Sequence, residues 1–129
     1  MYARQDQLSG VGNGYVDVFD TNGNLIKSLI SQSQLNLPWG VALAPAKFGE
    51  FSNDLLVGNF GDGHINAFNP KTGAFLGTLL DQNGQPLYNN RLWALFFGTG
   101  GQGGKKNQLF FSAGIDEQQH GLFGVISAV

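Results

Sequence analysis

The chain repeats a segment of its own sequence at a spacing of 54 residues, and this repeat constrains the fold most. LPWGVALAP (37–45) aligns with RLWALFFGT (91–99), which places Trp39 on Trp93, and the same spacing places NDLLV (53–57) on NQLFF (107–111). Spacing of this length indicates one small structural unit that is built more than once. The repeat therefore predicts a series of similar units.

A second alignment extends the unit and shows its local structure. GYVDVFDTNGNLIKSLI (14–30) matches GHINAFNPKTGAFLGTLL (63–80) with one inserted residue, and GLFGVISAV begins a third copy at Gly121. The NPKTG segment (69–73) reads as a turn, because proline presets φ at its start and glycine accepts the positive φ that other residues resist. Short apolar runs on both sides of this turn predict a hairpin.

One complete unit reads as four short strands separated by turn residues. The predicted strands are 39–44, 55–60, 64–69 and 74–80. Leu56, Phe68 and Phe110 recur at apolar positions of these strands, and we expect all three to be buried. No segment keeps a helical apolar period between its glycines and prolines, so we expect no helix longer than about two turns.

The composition supports an all-β fold, with 20 glycines for turns and 11 phenylalanines for a core. Four strands per unit is the pattern of a β-propeller blade, which predicts blades of four antiparallel strands, about two and a half in this chain. The predicted segments are a partial blade (1–30, with 1–4 as the tail of an extra strand), a complete blade (37–80) and a partial blade (91–129). A sandwich of short strands is the alternative.

Charge and composition exclude several classes of function. The formal net charge of −2 gives no basic footprint for nucleic acid. There is no cysteine, which excludes disulfides, thiolate catalysis and cysteine metal sites. No run is long and apolar enough to span a membrane, and the N-terminal MYARQDQLSG lacks the apolar core of a signal peptide.

The densest group of ionisable residues lies in the predicted loop 114–120, which reads GIDEQQH. Asp116, Glu117 and His120 offer oxygen and nitrogen ligands to a divalent cation such as calcium, together with Asn59 or Asp62 from the neighbouring unit. Such an ion could activate water for hydrolysis. The alternative interpretation is a polar surface loop.

A second candidate site follows from the equivalent loop 59–63 and the repeated tryptophans. In a propeller, Asn59, Asp62 and His64 would lie at the mouth of the central channel, as candidate ligand-binding residues. Trp39 and Trp93 could stack on a sugar or another ligand. Packing between units is the alternative role for both indoles.

Four segments together carry a resemblance to a known family: WGVALAP, DLLVGNFGDGHINAFNPKTGAFLGTL, LWALFFGTGG and AGIDEQQHGLFG. They resemble an uncharacterised bacterial family that is similar to NHL and SMP-30-type six-bladed propellers. The chain corresponds to the C-terminal portion of its longer members. The resemblance implies export, and therefore an extracellular or periplasmic location, and it implies no activity.

These observations predict a binding or scaffolding module that is incomplete without partner chains or further sequence. Two complete blades per chain would close a six-bladed ring as a homotrimer, which is the preferred assembly, and completion by the rest of a longer propeller is the alternative. The alternative function is a metal-dependent hydrolase or lactonase of the SMP-30 type.

Overall fold

The computed structural model describes residues 10–128, and these residues are almost entirely strands and turns. The predicted all-β class is confirmed. A short 3-10 helix (Gly49–Phe51) and one helical turn, α1 (Ile115–Gln118), are the helical segments of the described part, and neither exceeds four residues. The strands are β1 (Tyr15–Phe19), β2 (Leu25–Ser31), β3 (Pro38–Leu43), β4 (Leu55–Asn59), β5 (Ile65–Phe68), β6 (Phe75–Thr78), β7 (Leu92–Phe97), β8 (Gln108–Ala113) and β9 (Leu122–Ser127).

The strands pair with their chain neighbours into three antiparallel sheets. Sheet 1 is β1-β2, sheet 2 is β3-β4-β5-β6, and sheet 3 is β7-β8-β9. The four predicted strands of the complete unit agree with sheet 2 to within two residues at each end. The extra strand predicted for residues 1–4 lies outside the described residues.

The turn between β5 and β6 forms as the NPKTG segment predicts. The Asn69 Oδ1 atom accepts hydrogen bonds from the amides of Lys71 (2.8 Å) and Thr72 (3.0 Å). The Gly73 amide then donates to the Asn69 carbonyl oxygen at 2.8 Å, with Gly73 at φ 75°. A side-chain acceptor at the first position and glycine at the last therefore close the hairpin.

A second kind of turn occurs twice, with the pattern Asp-x-Asn-Gly-x. In each copy, at Asp20 and at Asp81, the aspartate Oδ1 atom accepts from the amides two and four residues later, at 2.7–3.0 Å. The aspartate amide donates to the carbonyl oxygen four residues later, and the glycine φ is positive in both copies. Identical chemistry therefore gives two identical turns.

The sheets stack face to face, with sheet 2 in the middle. One apolar cluster joins sheets 2 and 3, with Leu56 and Ile65 packed opposite Leu109 and Phe111. A second cluster joins sheets 1 and 2 through Ile30, Leu35, Val57 and Phe68. Successive side chains of a strand point to opposite faces, so Leu56 and Val57 serve different clusters.

Sheets 2 and 3 are in contact where β3 faces β7. A Cβ atom at Gly40 would lie 2.5 Å from the Trp93 carbonyl oxygen and 2.8 Å from the Leu95 amide nitrogen. Both neighbours are backbone atoms that cannot rotate away. Glycine at position 40 is therefore required for this spacing of the two strands.

This arrangement corrects the predicted propeller. Residues 10–128 form a small sandwich-like stack of sheets, and no closed ring of blades is present among them. The prediction failed because a repeated four-strand unit fixes the pairing within each sheet. It does not fix how successive sheets are arranged around one another.

One of the three burial predictions is also wrong. Phe68 and Leu56 are fully buried as expected, but Phe110 is only half-buried. Its ring lies on the outer face of sheet 3, where it stacks with Phe96 and Phe123 at centroid distances of 5.6 and 5.7 Å. Leu109 and Phe111, one residue away on either side, are buried, as is Ala113 at the end of β8.

Candidate ligand-binding surface

A group of aromatic and charged side chains lies together where β4 turns into β5. This group, here called the β4–β5 surface, consists of Trp39, Phe60, Asp62, His64, Tyr88 and Arg91. Its members come from three segments: the start of β3, the β4–β5 turn and the residues just before β7. Sheet pairing and stacking bring these segments together.

The turn between β4 and β5 is closed by backbone hydrogen bonds. The Asn59 amide donates to the His64 carbonyl oxygen at 2.9 Å, and the Gly63 amide donates to the Asn59 carbonyl oxygen at 3.0 Å. The Asp62 Oδ1 atom accepts from the His64 amide at 3.0 Å. The Asp62 carboxylate is therefore held within the turn.

Gly61 allows the same turn to pack against the chain before β3. Its amide donates to the Asn36 carbonyl oxygen at 2.9 Å, and a Cβ atom there would lie 2.0 Å from the Asn36 Oδ1 atom. Any larger residue would push the turn outward. The GDG sequence of residues 61–63 is thus required by packing as well as by turn geometry.

A buried layer of amides lies beneath the turn. Asn59 and Asn66 both donate through their Nδ2 atoms to the Gln34 carbonyl oxygen, at 2.9 and 3.2 Å. Asn36 donates to the Asp62 Oδ2 atom at 3.4 Å. The three asparagines are at most 5% exposed. This layer fixes the turn and one side of the carboxylate, as buried polar groups do when they are paired.

One atom of this layer has no hydrogen-bond partner among the described residues, the Oδ1 atom of the fully buried Asn59. Its Nδ2 group already donates to Gln34, and lies 3.5 Å from the Asp62 Oδ2 atom. The amide is therefore oriented with its oxygen as the free acceptor. A buried acceptor of this kind favours a bound donor such as water.

The aromatic members form a partly exposed platform above the amides. The Trp39 indole is 58% exposed and lies 5.6 Å from the Phe60 ring, centroid to centroid. The Arg91 guanidinium carbon lies 5.7 Å from the same Phe60 ring, within the range of a cation–π contact. Tyr88, which is 62% exposed, meets His64 edge to face at 6.4 Å.

The β4–β5 surface also carries a negatively charged and a positively charged side chain. The Asp62 Oδ2 atom lies 3.8 Å from the His64 Nδ1 atom, and Arg91 supplies a permanent positive charge. The Asn89 amide donates to the Gly63 carbonyl oxygen at 3.0 Å, which ties the segment that carries Tyr88 and Arg91 to the turn. The surface can therefore offer an apolar face, an acceptor and donors to one ligand.

Four of the five predicted ligand-binding residues are brought together here: Trp39, Asn59, Asp62 and His64. Trp93 is separate in its contacts. Its Nε1 atom donates to the Gln118 Oε1 atom at 3.3 Å, and its ring packs against the backbone at Gly114. These are packing contacts, and the ligand-binding role of Trp93 stays a prediction.

Sequence reasoning missed Phe60, Tyr88 and Arg91. Phe60 stands between two glycine-containing turn segments in GNFGDG, and a large ring in a turn is itself a signal of packing or binding. Tyr88 and Arg91 come from the stretch between two strands and carry no comparable signal. Both residues reach the β4–β5 surface only because sheets 2 and 3 stack on each other.

The predicted metal ligands lie on α1 and the residue pair after it. Asp116, Glu117 and His120 are exposed, and the His120 Nε2 atom lies 4.0 Å from the Asp116 Oδ2 atom. Asp116 and Glu117 have positive φ, so the segment is a left-handed turn rather than a regular helix. No group of three or more histidine, cysteine or acidic side chains converges within residues 10–128. The metal set stays a prediction.

The chain is similar to proteins of Acanthamoeba polyphaga mimivirus. It is 36% identical over 132 residues to "Uncharacterized protein R648", a match that covers 98% of this chain and 32% of that protein. It is 36% identical over 113 residues to "Uncharacterized protein L690", covering 88% of this chain and 29% of the relative. The chain thus spans about a third of the length of these relatives. No family model matches it.

These relatives correct the predicted family. The resemblance to a bacterial six-bladed propeller family is wrong, because the similar proteins are viral and the sheets form a sandwich-like stack. Shared turn and strand patterns, such as GNFGDG and NPKTG, had suggested it. Export was implied by the same resemblance and stays a prediction. No helix in residues 10–128 is long and apolar enough to cross a membrane.

Proposed function

We propose that this chain is a binding module whose β4–β5 surface recognises a saccharide. The observation that carries the proposal is the exposed Trp39 indole, which shares the Phe60 ring with the Arg91 guanidinium, while the same turn holds the Asp62 carboxylate two residues after Phe60. A sugar ring has an apolar face that stacks on an aromatic ring, and hydroxyl groups that both donate and accept hydrogen bonds. The surface offers partners for each of these groups.

The fixed position of the polar groups supports this proposal further. Asp62 accepts from the His64 amide, and the guanidinium of Arg91 is held against the Phe60 ring. Groups that are already ordered lose little entropy when a ligand binds. The platform is open rather than enclosed, so we expect binding that is weak for a single sugar and stronger for an oligosaccharide that covers more of it.

The experiment is a titration of the protein with neutral oligosaccharides, followed by tryptophan fluorescence and by ligand-observed NMR. We expect Trp39→Ala to weaken binding at least tenfold, while Trp93→Phe, which keeps an aromatic ring at the packed site, leaves binding unchanged. Asp62→Asn removes the charge but keeps an acceptor, and we expect a smaller loss. Binding that survives Trp39→Ala, or a panel of sugars with no binder, contradicts the proposal.

We also propose a scaffolding role through the outer face of sheet 3. Phe96, Phe110 and Phe123 form an aromatic cluster on this face, and two of them are about half exposed or more. An exposed apolar patch of this kind is typical of an interaction surface. The predicted trimer was derived from ring closure, which a stack of sheets does not require. Light scattering on the purified chain measures the assembly directly.

The alternative function, a metal-dependent hydrolase, would need several ligands around one ion. Of the predicted metal ligands, the structure brings Asp116 and His120 to 4.0 Å of each other on an exposed turn. More of the observed contacts support saccharide binding at the β4–β5 surface than support a metal site on this turn.

A further inference from the structure

Arg91 carries a positive charge that no acidic side chain of residues 10–128 pairs with. Its guanidinium carbon lies 5.7 Å from the centroid of the Phe60 ring. Apart from this ring contact, the Arg91 side chain forms no ion pair and no hydrogen bond within the described part of the chain. A guanidinium has five N–H donors in a planar fork, so these donors are left for solvent or for a ligand.

The Asp62 carboxylate, by contrast, already has donors of the protein around it. Its Oδ1 atom accepts from the His64 amide at 3.0 Å. Its Oδ2 atom lies 3.4 Å from the Asn36 Nδ2 atom, 3.5 Å from the Asn59 Nδ2 atom and 3.8 Å from the His64 Nδ1 atom. Of the two charged groups, the guanidinium therefore has more unused hydrogen-bonding capacity, which favours a ligand that carries a negative charge.

The backbone of Arg91 is fixed by the fold and not by its side chain. Arg91 has φ 55°, and its carbonyl oxygen accepts from the Gly114 amide at 2.9 Å. Its counterpart in the repeat, Leu37, has φ 51° and accepts from the Phe60 amide at 2.9 Å. The same left-handed conformation thus forms with leucine, although asparagine and glycine adopt it at lower cost. The fold does not require an arginine at position 91, which favours a binding role for its side chain.

Phe60 brings the guanidinium close to the exposed indole. The ring centroids of Phe60 and Trp39 are 5.6 Å apart, and Trp39 is 58% exposed. The counterpart of Phe60 in sheet 3 is Gly114, where a Cβ atom would lie 2.3 Å from the Trp93 Cζ2 atom, so no second ring fits there. A short oligosaccharide that stacks on Trp39 can therefore also contact the guanidinium of Arg91.

We propose that the ligand of the β4–β5 surface is an acidic saccharide whose carboxylate or sulfate group pairs with Arg91. This inference rests on the saccharide-binding function proposed above. The sugar ring stacks on Trp39, and two oxygens of the anion accept hydrogen bonds from the planar fork of the guanidinium. The anion also compensates a half-buried charge that has no partner in residues 10–128.

The test compares each acidic sugar with a neutral sugar of the same shape. The probes are trimers of galacturonate and of glucuronate, each with its methyl ester, and a sulfated galactose trimer with its unsulfated parent. A methyl ester keeps the rings, the linkages and the carbonyl oxygen but removes the charge. We expect calorimetry at low salt to show at least one acidic probe that binds about tenfold tighter than its neutral partner. The tighter of the uronate and sulfate probes identifies the anion.

A variant that suits the backbone separates binding from folding. Arg91→Asn removes the guanidinium and places a residue that tolerates positive φ at this position. We expect the melting temperature to stay the same or rise, while the preference for the acidic probe is lost. Arg91→Lys keeps the charge without the planar fork, and we expect it to retain part of the preference.

Ionic strength and a second cation test whether the charge acts locally. We expect the affinity for the acidic probe to fall as sodium chloride is added, and the affinity for its neutral partner to change little. Lys106 is exposed and lies in the loop between β7 and β8, at the other end of β7 from Arg91. Lys106→Asn changes the net charge by the same amount as Arg91→Asn, and we expect it to keep the preference for the acidic probe.

The outcomes separate this inference from the function on which it rests. Equal affinities for acidic and neutral probes, both lost in Trp39→Ala, would overturn the acidic ligand and leave saccharide binding in place. A preference that persists in Arg91→Asn, or that Lys106→Asn removes equally, would overturn the pairing with Arg91. The absence of binding by acidic and neutral probes alike would overturn the saccharide function and this inference together.

Discussion

Sheets 2 and 3 are built from the same repeated sequence, yet their side chains are buried differently. Leu56 in β4 is fully buried, and its counterpart Phe110 in β8 is half-buried. Ile65 in β5 is fully buried, and its counterpart Phe123 in β9 is 64% exposed. Both pairs lie on the same face of their own sheet. What differs is the neighbour, since sheet 3 covers that face of sheet 2.

This comparison separates two kinds of information in the repeat. Strand pattern and turn chemistry decide which residues pair within a sheet, and these are the same in both copies. The position of the sheet in the stack decides which face is covered. A position-by-position alignment of repeats therefore predicts pairing well and burial poorly at the outer layers.

The largest expected contrast is between two phenylalanines in equivalent strands. Phe68→Ala in β5 removes a fully buried ring, and we expect it to lower the free energy of unfolding by about 3–5 kcal/mol. Phe123→Ala in β9 removes an exposed ring and should cost less than about 1 kcal/mol. Urea denaturation measures both. Equal costs would mean that the outer face of sheet 3 is covered in solution.

A second contrast concerns the contact between β3 and β7. Gly40→Ala would place a methyl group against two backbone atoms of β7, and we expect a loss of roughly 1–3 kcal/mol from the strain of separating the strands. The counterpart of Gly40 in sheet 3 is Ala94, which is exposed. Ala94→Gly should therefore have a small effect, limited to backbone entropy. Thermal unfolding of the two variants at matched concentration checks the difference.

A third contrast tests the buried amide layer. Asn59→Ala removes the hydrogen bond to the Gln34 carbonyl oxygen, and we expect a cost of about 1–2 kcal/mol, because Asn66 still donates to that oxygen. The counterpart Ala113 is also fully buried, but among apolar neighbours. Ala113→Asn would bury an amide without partners and should cost at least as much. A stabilised Ala113→Asn variant would show that sheet 3 has a polar layer of its own.

The smallest effect is expected at the Asp20 turn. Hydrogen bonds from the backbone and side chain of Asn24 hold the pKa of Asp20 below its ordinary value. A carboxyl whose pKa is lower in the folded state stabilises the fold above its unfolded pKa, and this contribution is lost as the pH falls through the folded pKa. NMR titration of the Asp20 carboxyl checks the direction. We expect Asp20→Asn to flatten the acid side of the stability curve slightly, and a pKa at or above the ordinary value contradicts the assignment.

The fold could be predicted locally because its signals are local. Asn69 and Gly73 determine one hairpin through a side-chain acceptor and a positive φ, and both can be read from the sequence. The stacking of sheets could not be read in this way. It depends on contacts such as Gly40 against the Trp93 backbone, between residues far apart in the chain.

The residues of the candidate site also fall into two groups, those that a local sequence motif predicts and those that only tertiary packing brings to the site. Asn59, Asp62 and His64 stand within six residues of one another, so the turn that joins them was visible as a motif. Arg91 reaches Phe60 only because the segment before β7 crosses the end of sheet 2. A contact that depends on tertiary packing cannot be predicted from the sequence around Arg91 or from the sequence around Phe60.

Among residues 10–128, β9 lies at the edge of sheet 3, which has a consequence for this chain in concentrated solution. Its sequence, LFGVIS, contains no charged residue and no proline, the two devices that natural edge strands use against unwanted pairing. Short uncharged segments of high β-propensity are also the segments that form cross-β fibrils. This strand is therefore the part of residues 10–128 from which we expect aggregation to begin, and a lysine introduced at Val125 is the substitution that should delay it.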